Sequence, residues 1–244
     1  MKIGVYGLGR FGSFWAETLL RTGNEVLVYS RSSHTIPKGC RKAKEEEVLT
    51  CDLLFFCVSI SSFESVLIKC SDKIGKNTIV LDTCSVKTYP KLWMEKHLKP
   101  ETYKIATHPM FGPDSAKNGL ENLPIVLSNI SEKDERFDLV KLMFEKMGLK
   151  AIEMSAEEHD KEAAFSQGVT HFIGRVLSKM QLGETDIATK GYKSLLEIEE
   201  QTCNDPMRLF IDLQQYNPFT KDMRHSLRLA IEEVGYILEK GEEQ

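Results

Sequence analysis

The chain has 244 residues, 41% hydrophobic and 28% charged, which places it with ordinary globular proteins able to bury a sizeable core in one large domain or two. Its net charge of −4 speaks against a general nucleic-acid binder, because phosphate contacts call for a basic surplus. No apolar run approaches the roughly 20 residues of a membrane-spanning helix, and Met1-Lys2-Ile3-Gly4 opens like a strand rather than a signal peptide. The cysteines (Cys40, Cys51, Cys57, Cys70, Cys84 and Cys203) form no CxxC pair. That fits a reducing, cytoplasmic setting and argues against a disulfide framework, and no His, Cys, Asp or Glu cluster has the spacing of metal ligands.

Lys2 to Tyr6 reads as a short buried strand running into Gly7-Leu8-Gly9-Arg10-Phe11-Gly12. A helix follows, with Phe11, Trp15 and Leu19 at fourfold spacing, and Gly23 stops it before a second strand, Glu25 to Tyr29. Between strand and helix, a GxGxxG run is a dinucleotide-binding turn. Gly7 permits the tight turn, Gly9 lets a pyrophosphate approach the backbone, and Gly12 lets the helix pack on the strand. Arg10 and Phe11 belong to the same cofactor-binding turn. An NAD site normally places Asp or Glu after the second strand, for the ribose 2′-hydroxyl. Tyr29-Ser30-Arg31-Ser32-Ser33 offers no carboxylate, and Ser30, Arg31 and Ser32 suit a 2′-phosphate through charge-assisted bonds. NADP is therefore the expected cofactor, with NAD as the alternative.

Asp52 to Val58 is a near-continuous apolar run, as in a strand buried on both faces of a parallel sheet. Val58, Ser59, Ile60 and Ser61 at its end should face the cofactor, and Ser62 to Lys69 continues as a helix. Thr78 to Asp82 and Tyr103 to Ala106 read as further strands, with a helix carrying Trp93 between them. Leu123 to Leu127 and Lys150 to Met154 flank a helix from Lys133 to Met147. Strand and helix alternate, so residues 1–154 are expected to form a Rossmann-like, doubly wound parallel α/β sheet.

Over residues 155–244 no strand pattern remains, which predicts an all-α domain. Ser155-Ala156-Glu157-Glu158 is a capping box opening a long helix. Phe165, Val169, Phe172, Val176 and Met180 make its apolar stripe, with Asp160, Gln167, His171, Arg175 and Ser178 opposite. Asp205-Pro206 reads as an N-cap with a first-turn proline, and Asn217-Pro218 breaks the chain before a last helix striped by Leu227, Ile231, Val234 and Leu238. Such wide apolar faces on so few helices predict a homodimer.

A dinucleotide domain followed by a helical one implies hydride transfer, with the substrate in the crevice between them. The hydroxyl being oxidised needs a proton acceptor, and neutral histidine suits that role near neutral pH. His108 lies in Thr107-His108-Pro109-Met110-Phe111-Gly112-Pro113-Asp114-Ser115, a run stiffened by its prolines and placed just past a strand end. His171 lies on the polar helix stripe. His34 falls near the ribose pocket, His97 and His225 in charged helices, and His159 in the capping turn.

Four segments, in order over residues 1 to 180, carry a resemblance to a known family. They are the glycine turn, Asp82-Thr83-Cys84-Ser85-Val86-Lys87, the His108 run, and Glu157-Glu158-His159-Asp160 with Ser166-Gln167-Gly168-Val169-Thr170-His171-Phe172 and Gly174-Arg175-Val176. Together they resemble the prephenate and arogenate dehydrogenases of tyrosine biosynthesis, on the arogenate-type branch. The resemblance implies NADP-dependent oxidative decarboxylation of arogenate or prephenate to tyrosine or 4-hydroxyphenylpyruvate. By position, His108 matches the histidine that draws off the substrate hydroxyl proton. Ser85 matches the serine that holds the same hydroxyl or orients that histidine. His171 matches a helix histidine near nicotinamide and substrate, with Gln167 one turn before it, and Thr107 is counted with the substrate-binding residues. Where prephenate-type enzymes place a carboxylate-clamping arginine this chain has Ile211; Arg208, one turn earlier, is the substitute. Another NADP-dependent hydroxyacid-type dehydrogenase, or a non-catalytic NADP-binding sensor, would share the glycines and helices.

Overall fold

The computed structural model describes residues 1–241 and divides the chain into two compact units, Met1–His159 and Asp160–Gln244. The division falls after His159 rather than after Met154, and His159 bonds back to a strand residue of the first unit. The last three residues of the expected helical domain lie outside the described residues.

The first unit runs β1 (Lys2–Tyr6), α1 (Arg10–Leu20), β2 (Glu25–Tyr29), β3 (Arg41–Lys42), α2 (Glu45–Leu49), β4 (Leu53–Phe56), α3 (Ile60–Cys70), β5 (Ile79–Asp82), α4 (Thr88–His97), β6 (Tyr103–Pro109), β7 (Pro124–Asn129), α5 (Glu135–Lys146) and β8 (Lys150–Glu153). The strands form one sheet in the order β3-β2-β1-β4-β5-β6-β7-β8. Its pairings are parallel except β6 with β7, where His108 lies opposite Val126. The chain goes from β1 to β2 on one side and then to β4 on the other. The carboxyl ends of β1 and β4 therefore border the crevice where open α/β sheets take ligands.

Both faces of the sheet are covered, which explains the unbroken apolar run of β4. Successive residues point to opposite faces. Phe55 meets Trp15 of α1 and Phe144 of α5, with ring centres 5.7 and 6.3 Å away, while Phe56 meets Phe63 of α3 at 5.7 Å.

Three features depart from the expected pattern. β3 and α2 fill the span after Ser33, where elements this short leave no periodicity to read. β7 makes the sheet mixed rather than purely parallel. β6 runs on through Thr107, His108 and Pro109, so the expected loop begins only at Met110, because pairing with β7 holds those residues extended.

The second unit continues α6 (Ala156–Ala163) into a π-helical turn, Ala164–Gly168, then α7 (Val169–Met180), α8 (Lys190–Cys203), α9 (Met207–Tyr216) and α10 (Thr220–Lys240). The capping box of α6 forms as expected: the Ser155 N–H donates to the Glu158 carboxylate at 2.9 Å, and the Glu158 N–H to Ser155 Oγ at 3.2 Å. The stripes on the next turns do not separate into a buried apolar side and an exposed polar one. Phe165, Val176 and Met180 are 54%, 39% and 60% exposed while Val169 and Phe172 are half-buried, and on the other stripe Asp160 is buried and Gln167, His171, Arg175 and Ser178 are half-buried. Two causes act together. The π turn shifts the phase between the positions before and after it, and the helices approach at small residues. A Cβ on Gly174 would lie 1.9 Å from Thr202 Oγ1 of α8. α9 starts at Met207 with Pro206, not Asp205, in the cap position. No described helix is long and apolar enough to cross a membrane.

Candidate active site

The glycine turn lies where β1 ends and α1 begins. Gly7 has φ +110°, and a Cβ there would meet the Cys57 carbonyl oxygen at 2.4 Å. A Cβ on Gly12 would meet the Gly7 carbonyl oxygen at 2.1 Å, so this glycine lets α1 press on the turn. A Cβ on Gly9 would meet nothing within 4 Å. Gly7 and Gly12 thus serve the fold, while Gly9 borders open space, as an approaching diphosphate requires. No side chain caps α1, so its first N–H groups and dipole face that space. Val58 packs against Gly7, and Ser59 begins α3, donating from Oγ to Ser62 Oγ at 2.7 Å. Arg10 forms an ion pair with Asp114 at 2.6 Å, and Phe11 stacks on Trp15 at 5.8 Å. Phe111 also packs on Trp15, at 6.2 Å. The segment after His108 is thereby fastened to α1 at two points.

At the end of β2 a cleft has Ser30, Ser32, Ser33, His34 and Lys42 on its polar side and Leu8, Val28 and Ile36 among its apolar lining, and no carboxylate is among its lining residues. Arg31 and Ser32 are exposed and Ser30 is half-buried. Lys42 arrives on β3 and adds a cation where only Arg31 was expected. The basic run Arg41-Lys42-Ala43-Lys44 was its signal in the sequence.

β6 is parallel to β1 through β5 and β4, so His108 at its carboxyl end lies on the same edge of the sheet as the glycine turn. Its setting is a buried polar knot. Asp82 and Lys87 are wholly buried and ion-paired. Asp82 also accepts from the Cys84 N–H and the Thr107 N–H, both at 3.0 Å, and Lys87 Nζ donates to the Thr107 carbonyl at 2.5 Å. The Thr107 hydroxyl donates to the Asp82 carbonyl. Thr107, expected among the substrate ligands, therefore commits its polar groups to the scaffold that holds His108. His108 is 3% exposed, and its Nδ1 lies 2.8 Å from Nε2 of His159. Ser85 is buried in the loop after β5, on the same sheet edge, and its hydroxyl finds no hydrogen-bond partner among the described residues. An unsatisfied buried hydroxyl is costly, and a ligand oxygen would satisfy it.

In the second unit, Gln167 Oε1 and His171 Nδ1 are likewise buried without a hydrogen-bond partner. Burial holds the His171 imidazole below its ordinary pKa; Asp205 opposes this and Arg175 reinforces it. The ring is therefore neutral near pH 7. Arg175 donates to the carbonyls of Thr202 at 3.2 Å and Asp205 at 2.6 Å. Arg208 is 60% exposed and pairs with the buried Asp212 at 3.0 Å. Among the described residues no group of His, Cys, Asp and Glu could hold a metal ion.

A family model described as prephenate dehydrogenase, nucleotide-binding domain, matches residues 16–153. The chain belongs to the prephenate dehydrogenase family. A second model, TYRAAT1-like, C-terminal domain, matches residues 176–244. Arogenate dehydrogenase 2, chloroplastic, of Arabidopsis thaliana is 37% identical over 96% of this chain, which spans 69% of that protein. Arogenate dehydrogenase 1, chloroplastic, of the same plant is 35% identical over 96% of this chain, which spans only 38% of it. Two solved structures share the fold. Synechocystis arogenate dehydrogenase superposes with a TM-score of 0.71 at 22% identity, covering 99% of this chain and 93% of that one. Prephenate dehydrogenase from A. aeolicus, in complex with hydroxyphenyl propionate and NAD+, gives 0.76 at 18% identity over 99% and 91%.

The family's members are NAD(P)-dependent dehydrogenases, and the matched part of this chain is their nucleotide-binding domain. Asp82 and Lys87, the buried scaffold of the segment after β5, carry no reactive-residue pattern in the sequence. His159 reads there as part of a capping turn, although its ring meets His108.

Proposed function

We propose that the chain catalyses NADP-dependent oxidative decarboxylation of arogenate or prephenate. The observation that carries this is His108, a buried imidazole held at the carboxyl end of β6 on the sheet edge of the glycine turn. When bound, the nicotinamide supplies the acceptor for the hydride leaving the ring carbon that bears the hydroxyl. His108 accepts a hydrogen bond from that hydroxyl at Nε2, since Nδ1 is engaged by His159, and draws on its proton as the hydride leaves. Loss of the ring carboxylate as CO2 leaves its electron pair in the ring, which aromatises, and the proton returns to the phenol oxygen. Aromatisation supplies much of the driving force, so the protein has mainly to position the ring and manage one proton. Ser85 is assigned to the same substrate oxygen on the strength of its unpaired hydroxyl. His171 and Gln167 are assigned to the substrate on the same ground, and Arg208 to its carboxylate, for which it must leave Asp212.

The preference for NADP rests on the cleft at the end of β2, lined by Ser30, Ser32 and Lys42, with Arg31 exposed between the two serines in the chain. A 2′-phosphate finds cations and hydroxyls there, and no carboxylate repels it. A homodimer through the helical unit is supported by α10, whose Ile231, Val234 and Leu238 are 60%, 59% and 78% exposed along one stripe. The free cysteines fit a reducing, cytoplasmic compartment. One assay tests the catalytic reading: reduced-nicotinamide absorbance followed with arogenate and prephenate in turn, each with NADP and NAD. Turnover with NADP and either substrate is expected. Silence with both substrates would leave a cofactor-binding sensor, and a higher kcat/KM with NAD would overturn the NADP assignment.

A further inference from the structure

We propose that His159 is a positioning residue for His108: it accepts the hydrogen bond from His108 Nδ1, fixes that ring's tautomer, and steadies the imidazolium that forms as the substrate hydroxyl gives up its proton. The inference rests on the proton role assigned to His108 above.

The two rings are 2.8 Å apart, Nδ1 to Nε2, and meet edge to face with centres 5.0 Å apart and planes at 71°. Both are nearly sealed, His108 at 3% exposure and His159 at 2%. Neither backbone is loose. His108 sits in the β6–β7 ladder opposite Val126, one residue after the Asp82–Lys87–Thr107 knot. His159 lies in the first turns of α6, where its N–H donates to the Ser155 carbonyl at 3.0 Å and the Ser155–Glu158 capping box sets the start of the helix.

Geometry this constrained restricts the tautomers. One hydrogen serves the Nδ1···Nε2 contact, so one ring donates and the other accepts. For His108 to receive a proton at Nε2, that nitrogen must rest unprotonated, which puts the hydrogen of the neutral ring on Nδ1 and makes His159 Nε2 the acceptor. When His108 gains the proton, the same bond becomes charge-assisted and strengthens. A carboxylate in the place of His159 would hold the imidazolium more tightly. It would also leave a charge buried at rest, a cost that an imidazole nitrogen acting as acceptor avoids.

The test compares His159→Phe, which keeps a flat ring but cannot accept, with His159→Gln, which restores an acceptor. His159→Phe should lower kcat about tenfold to a hundredfold, the effect of losing one hydrogen bond to a charged group, while the cofactor KM stays within about twofold. His159→Gln should recover most of the loss. Native kcat in His159→Phe, or an equal loss in both variants, would overturn the proposal. Should His159→Phe fail to fold, nitrogen-15 NMR of the unmodified protein decides. The expected tautomer of His108 carries its hydrogen on Nδ1, with His159 Nε2 bare, and the reverse assignment sinks the idea. Inactivity of His108→Asn beside normal activity of His159→Phe would remove only this inference. Full activity of His108→Asn would remove the reading beneath it.

Discussion

Trp15, Phe55 and Phe56 of the first unit are fully buried, while Ile231, Val234 and Leu238 of the second keep 60%, 59% and 78% of their surface exposed. The first unit has a sheet covered on both faces, so its strands find neighbours within the same unit for their apolar sides. The second unit's helices approach one another at Gly168, against Thr220 and Met223, and at Gly174, against Thr202. Its polar stripe is partly enclosed, and although Leu177, Leu213 and Met223 are buried, Ile231, Val234 and Leu238 are left outside. A unit that closes its own core can hold a reacting group still. A unit that leaves apolar stripes open is built to be covered, and on the proposed reading a second copy covers it.

The largest expected effect tests whether the chemistry resides in the closed unit. His108→Asn should lower kcat by about a hundredfold to ten-thousandfold with either substrate, the usual range for a lost general base. Near-native turnover would break the assignment. Next, Lys87→Met leaves Asp82 buried without its cation and should cost about 3–5 kcal/mol in urea unfolding. A change below about 1 kcal/mol would show that the knot beneath His108 is not what stiffens this unit.

Glu45 sharpens the contrast through pH. Burial raises its carboxyl pKa, but the Tyr6 hydroxyl and the Lys69 and Lys73 ammonium groups outweigh burial and hold it down at about 2. A depressed folded pKa gives stability that is complete above the ordinary carboxylate range and fades as pH falls toward about 2. Glu45→Gln should therefore cost about 2 kcal/mol at neutral pH and flatten the acid limb of the stability curve. An unchanged limb would contradict this. On the exposed rim of the same unit, Arg31→Ala should lower kcat/KM for NADP about tenfold and leave that for NAD nearly unchanged. Equal losses with both cofactors would remove the 2′-phosphate role. The smallest effect on the closed unit comes from opening the other. Ile231→Asp with Val234→Asp should turn a dimer into a monomer by light scattering while urea unfolding of the first unit stays put. A monomer before any substitution would end the dimer proposal.

Much of the first unit was legible because its signals are local. The glycines announce their own backbone geometry, and Leu53–Phe56 reads as a strand covered on both faces from composition alone. The Ser155–Glu158 capping box was equally plain, since both partners lie within one turn. The course of β6 through His108 was not, because its pairing partner, β7, follows many residues later in the chain. The helix stripes failed for a related reason. Periodicity tells which residues share a face, but a π turn breaks the period and close packing at Gly174 selects the buried face.

By itself the sequence determined the alternation of strand and helix and the backbone roles of Gly7 and Gly12 in the turn between β1 and α1, and it marked His108 as a candidate. Each depends on residues within a turn or a strand of one another. Tertiary structure alone decided that Thr107 supports rather than lines the site, that Lys42 reaches the cleft beyond β2, and that His159 meets His108 at 2.8 Å. Those contacts join segments distant in the chain, and only the folded sheet brings them together.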